Sequence, residues 1–396
     1  MRLYSTKLSA REKRASIYPY YAGFSVDFVS SVLKKLSASS SSRILDPWNG
    51  TGTTTYAAAR ISAVSMGIEI NPALLSVARA RIATAEQRAT AQSALEMALT
   101  HLERSAPDQV SLPRVYATST SFLPANASDP TLALLQCALF PAVRRHFQEL
   151  RTKNPSWFSS PKASAAIVEQ PVSLVDLRAS AEGVFSRHQN SEIAEPKAPT
   201  FLLADTTRLP SIRRRFDILI SSPPYLTRID YVQATLPELS LLESAGVTIP
   251  TQLRRLMLGT PLTGPVDQDK ITPLPNRARA ILQRILNHPS KASATYYHRF
   301  FSLYFIGLME SLKRICPLLT PQAKACFVVQ PSHYKEIFID LPAILVEMGE
   351  SLGLALDEIW DFDAKNSMAS VNSRSHVLAR KPLSESAIFF NNRRAT

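Results

Sequence analysis

Short apolar runs bounded by turn residues recur along the chain. Arg43-Ile44-Leu45 leads into Asp46-Pro47, and Ala63-Val64-Ser65-Met66-Gly67-Ile68 leads into Glu69-Ile70-Asn71-Pro72. Phe201-Leu202-Leu203-Ala204 stops at Asp205, and Phe216-Asp217-Ile218-Leu219-Ile220 stops at Ser221-Ser222-Pro223-Pro224. Strands buried on both faces of a parallel sheet read as runs of this kind. Between them the period changes. Thr54 to Arg60 (TTYAAAR) reads as a helix. Leu95, Leu99 and Leu102 fall on one helical face with Ala91 and Ala98 beside them. Thr131 to Leu150 reads as a further helix with Arg144, Arg145 and His146 near its middle, and an apolar helix follows Tyr296-Tyr297-His298-Arg299-Phe300-Phe301. Strands alternating with helices predict an α/β fold around a mostly parallel sheet. No apolar run approaches the ~20 residues of a membrane helix, so no membrane partner is expected.

The length of 396 residues suits two to three units, or one large domain with an elaborate insertion. With 45 % hydrophobic residues the chain can bury a sizeable core, which excludes disordered and collagen-like classes. The basic N-terminus is followed by no apolar segment, so no secretory signal is expected. Three cysteines (Cys137, Cys316, Cys326) form no CxxC pair, which points to a reducing cytosol and away from disulfides or zinc. The seven histidines show no metal-ligand spacing, so no metal is expected.

The net charge is +13. Residues 1–72 hold nine basic against four acidic side chains, residues 226–300 nine against five, and the last 96 residues ten of each. A basic excess spread over three quarters of the chain fits a polyanion partner, most simply nucleic acid.

Glycine is scarce, at 11 residues, which makes Gly50 and Gly52 conspicuous. They follow the first apolar run and precede the first helix, and glycine there permits positive φ and close approach of backbone to a ligand. Strand, glycine loop and helix form the nucleotide-binding opening of a doubly wound fold. Glu69 ends the next strand 23 residues after Asp46, a position suited to ribose hydroxyls. The third glycine of the dinucleotide fingerprint is missing, and no P-loop is present. Ser222-Pro223-Pro224-Tyr225 follows a buried strand, at the edge where open α/β sheets bind ligands. Two prolines make a rigid loop, Ser222 offers a hydroxyl and Tyr225 an aromatic face. Such a loop can stack a planar base while its carbonyls accept hydrogen bonds from an exocyclic amine.

Asp46-Pro47-Trp48-Asn49-Gly50-Thr51-Gly52-Thr53-Thr54 together with Ser222-Pro223-Pro224-Tyr225 resembles the bacterial amino-methylating DNA methyltransferases, which act on cytosine N4 or adenine N6 with S-adenosylmethionine. The serine of Ser-Pro-Pro-Tyr resembles the cytosine-N4 branch. Tyr18 to Phe24 resembles the N-terminal motif that closes over the cofactor methionine, and Asp205 the acid that meets the cofactor adenine. Ala323–Val329, Glu358–Phe362 and His376–Arg380 resemble the fifth, sixth and seventh strands, the last two typically antiparallel. The resemblance implies a Rossmann-like methyltransferase fold: a mixed seven-stranded sheet with helices on both faces, plus a helical insertion. It assigns residues 1–80, 200–240 and 295–385 to a discontinuous catalytic domain. Residues 80–200 form the mostly helical insertion, and residues 226–295, basic and proline-containing, are the favoured target-recognition region. There Arg228, Arg254, Arg255, Lys270, Arg277 and Arg279 stand among prolines. The helical insertion is the second choice for target recognition, and Arg213-Arg214-Arg215 fits either a grip on phosphate or an exposed turn before a buried strand.

The resemblance places Ser222, Pro223, Pro224 and Tyr225 at the reacting base. It places Tyr20, Gly23, Phe24, Asp46, Pro47, Trp48, Gly50, Gly52, Thr53, Glu69, Ile70, Asp205 and Thr206 around the cofactor. The implied activity is site-specific methylation of double-stranded DNA in the cytoplasm, alongside restriction or phage-defence partners. Cytosine N4 is the first target. Adenine N6 is the alternative, then RNA, then a catalytically silent DNA-binding subunit. Three departures stand out: the cofactor motif precedes Pro-Pro-Tyr, Trp48 stands where phenylalanine is usual, and about 120 residues separate the second strand from Asp205. None of the three cysteines follows a proline, which argues against cytosine-C5 chemistry.

Overall fold

The computed structural model describes the chain apart from residues 1–5, 19, 21–22, 24, 106–109, 153–156, 160–163, 190–192, 194–196, 364–383 and 394–396. The apolar runs form strands β1 (Arg43–Asp46), β2 (Val64–Glu69), β3 (Thr200–Leu203) and β4 (Phe216–Ser221). They are joined by β5 (Leu319–Val329), β8 (Leu354–Asp363) and β9 (Ser384–Asn392), while β6 (Ser332–Tyr334) and β7 (Ile337–Ile339) make a separate hairpin. The main sheet has the order β3-β2-β1-β4-β5-β9-β8. Its first five strands are parallel, and β9 runs antiparallel to both β5 and β8. This is the expected mixed seven-stranded sheet of the Rossmann-like methyltransferase fold.

Strand alternation supplies a core to each face. Ile44, Ile218, Ile220, Cys326 and Val328 pack with Phe28, Val29 and Val32 of the helix Val26–Lys35 and with Ala57 and Ala58 of the helix Thr53–Ala59. Leu45, Leu219, Phe327 and Val329 face the other way, onto the helices His298–Ile315 and Leu341–Ser351. The chain leaves β1 toward one edge through β2 and β3, then returns to build β4 and β5 on the other side. The switch in direction opens a crevice at the carboxyl ends of β1 and β4.

Between β2 and β3 lie the helices Ala85–Ser105, Leu112–Ser121, Asp129–His146, Ser164–Val168 and Leu174–Gln189. Leu95, Leu99 and Leu102 are buried, as their spacing predicts. The helix Asp129–His146 ends earlier than its periodicity suggested, so Arg144, Arg145 and His146 occupy its last turn, where cations complement the helix dipole. These helices share one core with Leu74 and Val77 of the helix Pro72–Ala80 and with Tyr231, Leu239, Leu242 and Leu253. The buried Glu238 carboxylate pairs with Arg144 across that junction, and Arg144 also donates to the Tyr18 phenol. Residues 226–295 are therefore divided: their first part joins the helical layer, while Leu274, Ala278, Ile281 and Ile285 pack against the helix His298–Ile315.

Glu358–Phe362 lies within β8. The expected strand His376–Arg380 lies outside the described residues, and the antiparallel place beside β5 is taken by β9. Arg213-Arg214-Arg215 immediately precedes β4, whereas Ser222–Tyr225 follows it. Six strand residues at about 3.3 Å each put the arginine run roughly 20 Å away, at the opposite edge of the sheet. Among the described residues no helix is long and apolar enough to cross a membrane, and no group of side chains could hold a metal ion.

Candidate functional site

Two loops meet in the crevice. The first leaves β1 at Asp46, where Pro47 withholds the next ladder donor. It folds back on the neighbouring strand: Asn49 N donates to the Ile68 carbonyl at 2.9 Å, and the Asn49 side chain covers Gly67. Gly50 and Gly52 both take positive φ, +51° and +79°, and Gly52 opens the helix Thr53–Ala59. The half-buried Arg81 guanidinium braces this turn from behind, donating to the Thr51 carbonyl at 3.1 Å and the Thr53 hydroxyl at 3.2 Å.

Two carboxylates are buried around this turn. Glu69 accepts from Gly50 N at 2.8 Å and from Asn71 N at 2.9 Å. Asp46 Oδ1 accepts from Trp48 N at 3.2 Å and from the Ser221 hydroxyl. Asp46 Oδ2 is buried without a hydrogen bond of good geometry, and the Thr54 hydroxyl close by donates instead to the Ile220 carbonyl at 3.3 Å. Burial pushes Asp46 up to about 6 and Glu69 up to about 7, while the hydrogen bonds each accepts pull the other way. Neither forms a salt bridge among the described residues.

The second loop leaves β4. Ser221 bonds back to the first loop, since its hydroxyl donates to Asp46 and its oxygen accepts from Trp48 N at 3.2 Å. The Ser222 hydroxyl donates to the Val328 carbonyl on β5 at 2.9 Å. With its proton committed, Ser222 Oγ faces any other partner as an acceptor. The Pro224 carbonyl accepts from the Tyr304 phenol at 2.7 Å, and Tyr225 N donates to the Tyr231 phenol oxygen at 3.3 Å. The Tyr225 phenol donates to Glu385 on β9 at 3.0 Å. Burial and the Glu385 charge push that phenol well above its usual range, so it remains a donor.

The flanking residues expected at the site have different surroundings. A Cβ on Gly23 would stand 3.8 Å from Thr51 Oγ1, which places that residue beside the glycine turn. Tyr20 packs against the helical layer, its ring centroid 6.3 Å from that of Tyr18, and Ile70 packs against the same core. Trp48 packs against the opposite core. Phe24 lies outside the described residues. Asp205 follows β3, one strand beyond Glu69, and accepts from Thr207 N and the Thr207 hydroxyl, both at 2.8 Å. Thr206 is buried and shares a hydrogen bond with Ser311 at 2.9 Å. Asn71 caps the helix Pro72–Ala80 and donates to the Thr235 hydroxyl at 2.9 Å, tying the end of β2 to the chain beyond Tyr225.

Four residues here escaped the sequence reading: Ser221, Arg81, Asn71 and Glu385. Asn71 had a local signal, an Asn-Pro pair at a helix start. The others act through partners distant in sequence.

No family model matches the chain, and no curated protein does. Among solved structures, TrmN from Thermus thermophilus aligns over 96 % of this chain at 11 % identity and TM-score 0.34. The chain spans about half the length of TrmN, 51 %. The rRNA methyltransferase AviRa from Streptomyces viridochromogenes aligns over 95 % of this chain and 88 % of its own at 11 % identity and TM-score 0.31. The cyclase SpnF aligns over 93 % and 82 % at 8 % identity and TM-score 0.35. Likenesses this weak carry no conclusion about activity, which has to come from the site itself.

Proposed function

We propose that this chain transfers a methyl group from S-adenosylmethionine to the exocyclic amine of a flipped base in DNA. Cytosine N4 is the first target and adenine N6 the alternative. One observation carries the reading. The Asp46–Gly52 turn and the Ser222–Tyr225 loop stand at the carboxyl ends of adjacent strands, coupled through the Ser221–Asp46 hydrogen bond. A site for a nucleoside-bearing cofactor and a site for a planar amine acceptor are thereby held side by side.

The residues fit that cofactor. Asp46 and Glu69 are buried without a cationic partner among the described residues, and Asp46 Oδ2 has an unmet hydrogen bond. A ligand with a protonated amino group answers both deficits at Asp46. Glu69 keeps lone pairs free for ribose hydroxyls, since each of its oxygens can accept more than one hydrogen bond. Gly50, with open space where a Cβ would stand, leaves room for the methionine portion, Gly52 lets the turn close onto Ala78, and Asp205 would meet the adenine end. When bound, S-adenosylmethionine supplies an electrophilic methyl on a good leaving group.

The chain's own residues then act on the base. Tyr225 stacks on it once it has left the helix. Ser222 Oγ, already oriented as an acceptor, and the Pro223 carbonyl accept hydrogen bonds from the amine. These bonds withdraw the nitrogen lone pair from the ring and aim it at the methyl. As the N–C bond forms the S–C bond breaks, the neutral thioether leaves, and the amine sheds one proton to water. Positioning and electrostatics supply the acceleration, and no enzyme nucleophile is needed. Exposed Arg228, Arg255, Lys270 and Arg279, beyond the Tyr225 loop, are available for phosphate contacts. A restriction or defence setting suits such an activity.

The test is incubation with isotopically labelled cofactor, plasmid DNA and total RNA, then digestion to nucleosides and mass spectrometry. N4-methylcytosine supports the first reading and N6-methyladenine the alternative. Label confined to RNA redirects the substrate, and no label in any nucleoside overturns the proposal.

The raised carboxylates give a pH signature. A group pushed up to about 6 is ionised above that value and neutral below it. Only the anion pairs fully with a protonated amine. Cofactor affinity should therefore weaken about tenfold between pH 7 and pH 5 for a single group titrating near 6. Calorimetry across that range should show this loss in the native chain and a flatter profile in Asp46→Asn. A native profile with no pH dependence removes Asp46 from the amino-group contact.

A further inference from the structure

β9 runs against its neighbours, so its first residues reach the sheet edge where β4 and β5 end. Ser386 pairs with Val329, the last residue of β5, and Glu385 precedes it. Glu385 is only 6 % exposed. Burying a carboxylate is costly unless its oxygens are hydrogen-bonded, and hydrogen bonds to a charged acceptor are the strong ones. Both oxygens are occupied. Oε1 accepts from the Tyr225 phenol at 3.0 Å, and Oε2 accepts from the Thr6 hydroxyl.

Tyr225 is thus fixed at both ends. Its backbone N–H is held by Tyr231, and its carbonyl accepts from Thr227 N at 2.8 Å. Its phenol is held by a carboxylate 160 residues further along the chain. Ring rotation about Cα–Cβ would break the Glu385 bond and strand a buried charge. We infer that Glu385 is a positioning residue, which sets the orientation in which the Tyr225 ring meets the target base. The inference rests on the proposed function for what the ring meets, but the holding of the ring is a property of the chain alone. Thr6 extends the tie to the N-terminal segment, so one carboxylate joins the first and last described parts of the chain at the catalytic loop.

The test is a cycle of Glu385→Ala, Tyr225→Phe and the double variant, with Glu385→Gln as the conservative change. Glu385→Ala should lower kcat about thirtyfold, within the range that small misplacements of reacting groups cost, and leave cofactor KM within about twofold. Glu385→Gln keeps an oxygen acceptor and should recover most of the rate. In the Tyr225→Phe background Glu385→Ala should have little further effect, because the bond is already gone. Native kcat in Glu385→Ala overturns the inference, as does an equal loss with and without the phenol. Should Glu385→Ala not fold, Glu385→Gln in both backgrounds carries the same comparison through its smaller loss. A crystal structure of the folded Glu385 variant gives a readout free of activity: a displaced Tyr225 ring supports the inference and an unmoved one overturns it. If the native chain methylates no nucleic acid, the proposed function fails, and the ring position still decides the role of Glu385.

Discussion

Tyr225→Ala should lower methyl transfer by a factor of about 100 to 1000, while cofactor affinity stays within about twofold. The magnitude comes from two losses. Stacking of a base on an aromatic ring is worth about 1–3 kcal/mol, and loose placement of the acceptor costs roughly a further hundredfold at the upper end. The losses overlap, because an unstacked base is also a misplaced one. Single-turnover transfer with nucleoside readout measures the first quantity, and calorimetry with the cofactor measures the second. The separation follows from the geometry. Tyr225 belongs to the β4 loop and bonds to Tyr231 and Glu385, whereas Asp46, Gly50 and Glu69 belong to the turns after β1 and β2. A variant with near-native rate would remove Tyr225 from the reacting base. A variant that loses rate and cofactor affinity together would make Tyr225 a structural support of the crevice.

Much of this site was legible because its signals are local. Asp46, Pro47, Gly50 and Gly52 sit within seven residues, and their types alone describe a strand end, a turn and a helix start. The sheet was legible for a similar reason. Ile44 and Leu45 are adjacent and both apolar, as in a strand covered on both faces, and the structure sends them to opposite cores. What stayed hidden depends on partners brought together by topology. Ser221 reads as one of two serines before a proline pair, yet its hydroxyl joins the two loops across 175 residues. Glu385 lies in an unremarkable C-terminal run until β9 is seen to run antiparallel.

Residues 226–295, basic and proline-containing, are expected from their sequence to act as one target-recognition region. Their apolar positions instead feed two separate cores. Arg254 pairs with the buried Asp230, and Arg277 with Glu347 at 2.8 Å. Charge counted along the sequence is blind to such pairing, which leaves Arg228, Arg255, Lys270, Arg279, Arg284 and Lys291 exposed and outside the ion pairs of the described residues, Arg228 lying over the Tyr297 ring.

Gly52→Ala should destabilise the chain by about 2–5 kcal/mol and weaken cofactor binding at least tenfold. Gly52 stands at φ +79° and ψ 31°, where a Cβ crowds the following carbonyl at a cost of about 1–2 kcal/mol. The added methyl also has nowhere to go. It would lie 2.7 Å from Ala78 Cβ and 2.9 Å from Ala78 Cα, on the helix Pro72–Ala80. That neighbour is buried backbone and cannot swing aside, so overpacking adds about 1–3 kcal/mol. Relief requires the turn to move off the helix, and the turn carries the Gly50 amide that Glu69 accepts from. The control is Gly50→Ala, at φ +51° with nothing within 4 Å of the added atom. It should pay only the backbone strain, on the order of 1–2 kcal/mol. Urea unfolding of both variants separates the two contributions, and calorimetry follows the cofactor. Equal stability for the two would show that Ala78 yields, and that glycine at position 52 answers to φ alone.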